Sequence, residues 1–145
     1  MNPRILHIAP VFNYTCGRSY YIYITLKYLN TFESFNYLFS KEDIANQRIN
    51  ELKIPFSVNR NIGSNNPLFF SGLLKQIHFI VNKHGINVLH SYSRSTELLC
   101  LMYQKYINKN VITINTIMSL VKSRYFIEYK SDKLIPISKC VKNQL

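Results

Sequence analysis

Residues 90–94 read His-Ser-Tyr-Ser-Arg, so a titratable ring, three hydroxyls and a guanidinium fall within one short run. Arg94 at this place can grip a phosphate or carboxylate with two parallel N–H bonds. His90 closes an apolar run, and Ser91 follows it directly. A plainer reading of the same residues is a strand-end histidine bonded to backbone and an arginine solvated at a helix start. Gly17, with Arg18 beside it, stands at the head of an expected helix, where free backbone N–H groups and the helix dipole favour an anion. A lone turn glycine explains Gly17 equally well. Asn115 and Thr116 end another apolar run; Asn115 can hydrogen-bond a hydroxyl but does not titrate near neutral pH.

Other chemistries find little support. There is no GxGxxG and no Walker lysine motif, which argues against a dinucleotide or ATP site. Cys16, Cys100 and Cys140 are an odd count without CxxC spacing, so neither a zinc site nor a disulfide framework is expected, and a reducing setting fits. Cys16 has no adjacent charged residue to activate it as a nucleophile. Only seven acidic residues exist, most of them on expected helices, so paired-carboxylate hydrolysis and carboxylate metal sites are poor candidates. No catalytic residue, cofactor or metal is assigned.

The formal net charge is +11, and it is uneven. Residues 1–72 hold seven Lys/Arg against four Asp/Glu, whereas residues 73–145 hold eleven against three. That asymmetry fits attraction to phosphorylated substrates or anionic lipid headgroups, and it fits compositional drift as well. No basic run reaches five residues, so a disordered nucleic-acid arm is not expected. No stretch approaches the length of a membrane-spanning helix, and the N-terminus reads as a buried strand and not as a signal peptide.

These residues must be positioned by elements that alternate between strand and helix. Residues 4–10 (RILHIAP) read as a strand buried on both faces, followed by turn residues up to Gly17. Residues 18–29 fit helix and strand periodicity equally. Further strands are expected at 35–39, 55–58, 86–90, 111–114 and 134–137. A capping box over Ser40 and Asp43 opens a helix to Leu52, and residues 60–66 form a polar loop around Gly63. Asn66 caps the clearest helix, Pro67 opens it, Gly85 ends it, and Leu73, Leu74, Ile77, Ile80 and Val81 form its core stripe. The helix after residues 91–95 carries Leu98, Leu101, Met102 and Tyr106 on one face. Ile117, Leu120, Val121 and Arg124 suggest another, and Ser138 caps a last one from Lys139. The pattern predicts an α/β fold with a doubly wound, Rossmann-like parallel sheet in a single domain over 1–145. Ligands in such sheets sit at the carboxyl ends of the strands, where 10–17, 90–94 and 115–116 gather.

Four segments, in order and spacing, resemble family 4 glycosyltransferases: RILHIAP (4–10) with Gly17 and a helix, VLHSYSR (88–94), VITINT (111–116), and SDKLIPIS (131–138) with Lys139. The resemblance selects a helix for residues 18–29. It implies the N-terminal, acceptor-side half of a GT-B enzyme, whose other half holds the nucleotide sugar, in a metal-independent and retaining family. It also implies substrate-binding roles for Gly17, Arg18, His90, Ser91, Arg94, Asn115 and Thr116. The chain departs from the family pattern at Cys16, Tyr92 and Asn115, where the family has a glycine and two histidines.

The expected partners are a nucleotide sugar and a glycan or lipid-linked acceptor in the full enzyme, with a separate C-terminal glycosyltransferase domain. The expected setting is polysaccharide biosynthesis at the cell envelope, cytoplasmic and peripheral on an anionic membrane, without nucleic acid. A non-enzymatic basic module for phosphorylated sugars or nucleic acid is the alternative.

Overall fold

The computed structural model describes residues 2–41, 46–64, 66–119 and 129–144. Six parallel strands form the central sheet: β1 (Arg4–Ala9), β2 (Phe35–Ser40), β3 (Phe56–Val58), β4 (Val88–Ser91), β5 (Ile112–Ile117) and β6 (Lys133–Pro136). Their spatial order is β3-β2-β1-β4-β5-β6. Chain direction across the sheet therefore reverses between β1 and β4. With right-handed crossovers, that reversal sends helices to opposite faces and opens a crevice at the strands' carboxyl edge. The expected doubly wound α/β fold is the one observed.

The helices are α1 (Gly17–Leu29), α2 (Asn46–Leu52), α3 (Phe70–His84), α4 (Arg94–Tyr106) and α5 (Lys139–Lys142). On one face, Leu6, Ile8, Tyr37, Phe39 and Leu89 of the sheet pack with Leu73, Ile77, Ile80 and Val81 of α3 and with Leu99, Cys100 and Tyr103 of α4. On the other, Ala9 and Leu38 pack with Ile22 and Leu26 of α1, Ile49 of α2, Phe12 and Tyr92. Burying both faces explains why the strands read as continuous apolar runs.

Residues 18–29 are helical. Their alternating pattern misleads because apolar residues also cover the outer side: Tyr20, Ile24 and Tyr28 are exposed while Ile22 and Leu26 face the sheet. At α3 the Asn66 side chain accepts a hydrogen bond from the Leu68 N–H at 3.0 Å. Pro67 then opens a single 3₁₀ turn before the α-helix proper, and Gly85 closes it at φ 58°. Ser138 caps α5 by accepting from the Val141 N–H at 3.2 Å.

At α4 the faces differ from a simple hydrophobicity reading. The buried side is Thr96, Glu97, Leu99, Cys100 and Tyr103. Leu98, Leu101 and Met102 are only half-buried and, with the exposed Tyr106, line a shallow apolar groove outside the core. β5 runs to Ile117, so that residue belongs to a strand; Asp43, Leu120, Val121 and Arg124 lie outside the described residues. No helix among the described residues is long and apolar enough to cross a membrane.

Candidate functional site

At the β1/β4 reversal a cavity of about 350 Å³ opens at the carboxyl edge of the sheet. Arg18 reaches it from the first turn of α1, Ser93, Arg94 and Ser95 from the start of α4, and Asn115 and Thr116 from the end of β5. Tyr129 and Gly63 complete much of the wall. Of the residues anticipated from sequence, Arg18, Arg94, Asn115 and Thr116 thus meet on one surface. Among the described residues that line it there is no carboxylate, and two guanidiniums, Arg18 and Arg94, stand on its wall.

The local structure of each part follows from sequence. Ser93 ends the turn after β4 in an extended conformation and accepts from the Thr96 N–H at 3.2 Å, while Thr96 Oγ1 accepts from the Ser93 N–H at 3.1 Å. This reciprocal cap fixes where α4 begins, and with it where Arg94 starts. The Arg94 Nε donates to the Tyr129 hydroxyl at 3.1 Å. Tyr129 is held in turn by Glu97, whose Oε2 accepts from its backbone N–H at 2.9 Å. The other oxygen, Oε1, accepts from the Lys130 N–H (3.1 Å), the Ser131 N–H (3.2 Å) and the Ser131 hydroxyl (2.9 Å). One buried carboxylate therefore organises the loop that positions the arginine.

His90, Ser91 and Gly17 are placed differently. His90 lies one layer beneath the cavity floor, only 5% exposed, with its Nε2 2.7 Å from the Thr116 hydroxyl. Its partners are side chains, not backbone. Tyr92 is buried and touches both His90 Nδ1 (3.2 Å) and His7 Nδ1 (2.7 Å). Burial pushes the His7 ring down to about 4, partly offset by the hydrogen bond to Asn36. Burial first, then the neighbouring His7, pushes His90 well below its ordinary value, and burial raises the Tyr92 phenol well above its own. All three are neutral at pH 7.

Ser91 is fully buried and shares its one hydroxyl proton between Ile114 O (3.2 Å) and Asn115 Oδ1 (3.1 Å), which pins β4 to β5 with the Asn115 amide oxygen turned to Ser91 and its N–H groups turned away. Gly17 is not on the cavity wall. Its φ is not positive, and a Cβ there would meet nothing within 4 Å, so the position does not need glycine. The conformational demand sits at Gly63, with φ 82° and a Cβ position 3.0 Å from Pro10 Cβ. Gly63→Ala is expected to cost about 1–3 kcal/mol and to disturb the wall, checked by urea unfolding beside Gly17→Ala, which should change stability far less.

Several contributors escape a reading of the sequence. Ser93 had a signal, the S-x-x-T spacing of a cap. His7 had one once parallel pairing is assumed, because His7 and His90 are register partners in β1 and β4. Glu97 and Tyr129 had none, since their contact spans 32 positions. Cys16 needs correction as well. Backbone N–H at Ser19 lowers its thiol, and Arg18, two residues on and not adjacent, adds to this. In the opposite sense, burial pushes the Cys100 thiol far up. Among the described residues no group of three or more His, Cys, Asp or Glu is placed to hold a metal.

Asp132, within the fourth segment of the resemblance, is a latch. Its carboxylate accepts from the Thr113 N–H (2.8 Å), the Thr113 hydroxyl (3.0 Å) and Gln104 Nε2 (2.7 Å), tying β6 to β5, and the Thr113 N–H foremost holds it below the usual carboxylate range.

No family model matches the sequence, and no curated protein matches it. Solved structures do. A glycosyltransferase from Rickettsia africae superposes on 98% of this chain with a TM-score of 0.75 at 19% identity. A UDP-N-acetylglucosamine 2-epimerase covers 99% of it at TM-score 0.64 and 10% identity, and Acinetobacter baumannii MurG covers 79% at 0.60 and 8%. At such identities the likeness is one of fold: the Rossmann-like α/β arrangement of GT-B proteins. The chain spans 38%, 44% and 34% of those three chains, less than half of each.

Proposed function

We propose that this chain is the acceptor-side domain of a nucleotide-sugar-dependent, retaining GT-B glycosyltransferase resembling family 4, with residues 1–145 as one Rossmann-like domain. The observation that carries this reading is the meeting of Arg18, Arg94, Asn115 and Thr116 on one polar cavity at the β1/β4 reversal. Arg18 and Arg94 take an anionic group of the acceptor, and Asn115 and Thr116 meet its hydroxyls. The N–H groups at Gly17, outside the wall, add to the positive field. His90 and Ser91 act from beneath, fixing Thr116 and Asn115. No catalytic residue is assigned, and Asn115 supplies no proton at neutral pH.

The donor nucleotide and the second half of the transition-state environment belong to another domain, so the 145 residues alone transfer no sugar. Protein-dependent turnover of UDP-glucose by the purified chain would contradict this. A glycan or lipid-linked acceptor at the envelope fits the exposed Lys130, Lys133, Lys139 and Lys142, which suit the cytoplasmic face of an anionic membrane.

Binding is the direct test. Calorimetric titration with α-glucose 1-phosphate, standing in for a phosphorylated acceptor, should give saturable binding. Arg94→Ala should weaken it roughly 10- to 100-fold, the worth of a charge-assisted hydrogen bond. Equal binding by both proteins would remove Arg94 from the site. Tighter binding of a short RNA than of the sugar phosphate would favour the basic-module alternative.

A further inference from the structure

Five side chains, Asn36, His7, Tyr92, His90 and Thr116, form an unbroken hydrogen-bonded chain across β2, β1, β4 and β5. Each is at most 5% exposed. Its direction can be worked out from the end farthest from the cavity. The Ser34 hydroxyl spends its proton on Leu29 O at 2.7 Å, so it accepts from Asn36 Nδ2 at 3.1 Å. Asn36 Nδ2 also donates to Ser34 O, which fixes the amide with Oδ1 towards His7. An amide oxygen only accepts, so the neutral His7 ring carries its proton on Nε2 and leaves Nδ1 as an acceptor. The Tyr92 hydroxyl therefore donates to His7 Nδ1, and its own oxygen accepts from His90 Nδ1–H. His90 Nε2 is left bare and takes the proton of Thr116. Thr116 has one hydroxyl proton, and it is spent.

We propose that this chain is a positioning device that locks the Thr116 hydroxyl as a hydrogen-bond acceptor towards the cavity, so that the ligand group seated against it is a donor, a sugar hydroxyl and not a phosphate oxygen. The ligand half of this statement rests on the carbohydrate reading above; the direction of the chain does not. The cavity then has two chemical ends. Arg18, Arg94 and the Asn115 amide donate, and Thr116 accepts. A molecule carrying both an anionic group and a hydroxyl satisfies both ends. An anion alone fills only the first. Neutral histidines are essential, because a proton added to His90 Nε2 would turn Thr116 into a donor and reverse the selection.

Nitrogen-15 NMR of the imidazole rings at pH 7.5 tests this on the wild-type chain. The expected spectra place the proton of His7 on Nε2 and that of His90 on Nδ1. Either ring in the opposite tautomer, or charged, overturns the relay. Titration then tests the ligand. Adding α-glucose 1-phosphate should move the His90 Nε2 resonance, because a hydroxyl donated to Thr116 strengthens the next bond in the chain, and inorganic sulfate, which has no proton to donate at this pH, should not move it. Equal shifts with both probes, or a bound sugar phosphate without a shift, overturn the assignment of Thr116 as the acceptor end. Failure of the sugar phosphate to bind overturns the carbohydrate reading and the ligand half with it, whereas the tautomers judge the relay independently.

Discussion

Glu97→Ala is expected to lower stability by about 3 kcal/mol or more, read as a loss of roughly 10 °C in Tm. Glu97 is 1% exposed and carries four hydrogen bonds, three of them from consecutive backbone N–H groups at 129–131. Alanine leaves those donors without an acceptor, and an unsatisfied buried donor costs about 1–3 kcal/mol. Water can reach part of this loop, since Lys130 is exposed, so the three costs do not simply add. Glu97→Gln separates the electrostatic from the steric part. Its single carbonyl oxygen can keep the three bonds at the Lys130–Ser131 end, but its amide meets the Tyr129 N–H donor to donor. About half the alanine loss is expected. Thermal unfolding of the two variants decides the matter; a change within 0.5 kcal/mol for both, roughly what a neutral surface substitution gives, would mean that the loop does not depend on Glu97.

The second large effect is a loss of stability on mild acidification. His7 is fully buried and its ring is pushed down to about 4, whereas an unfolded histidine titrates near 6.5. Above about pH 6.5 neither state binds the proton and stability is complete. As pH falls from there towards 4 the unfolded chain takes up a proton that the native one refuses, and unfolding gains up to about 1.4 kcal/mol per pH unit. At pH 4.5 the cost from His7 alone is about 2–3 kcal/mol. His90 acts in the same direction. Asp132 titrates later: its depressed carboxylate gives a contribution that is present above the ordinary carboxylate value and is lost as pH falls from there through its lower folded value, so its window lies below that of the histidines. Urea unfolding at pH 7.5, 6.0, 5.0 and 4.5 should show the decline, with a shallower slope for His7→Gln. A flat profile from pH 7.5 to 5.0 would mean that the histidines are not held neutral.

How much of this was legible depends on where each interaction's partners lie in the chain. Caps and stops were legible because they are local: Asn66 and Pro67 opening the 3₁₀ turn that leads into α3, Gly85 closing α3, and Ser138 opening α5. So was the doubly wound sheet, because strands buried on both faces leave unbroken apolar runs. The helix at 17–29 was not, because exposed Tyr20, Ile24 and Tyr28 erase its polar face. At α4 the apolar stripe from Leu98 to Tyr106 lies outside, and a glutamate lies inside. Nothing near Glu97 announces this, for its donors come from 129–131. At the site, Arg94, Asn115 and Thr116 could be anticipated from strand ends. The role of His90 could not, since its function is set by the Thr116 and Tyr92 hydroxyls and, through them, by His7 and Asn36 on other strands.

The central claim is that the cavity at the β1/β4 reversal receives a phosphorylated, hydroxyl-bearing acceptor. Backbone amide shift mapping of the isotopically labelled chain with α-glucose 1-phosphate tests it most directly. The account predicts saturable shifts centred on Arg18, Ser93, Arg94, Ser95, Thr116 and Tyr129, sharply reduced in Arg94→Ala. Shifts confined to the groove at Leu98, Leu101 and Met102, or to the lysines of β6 and α5, would contradict it.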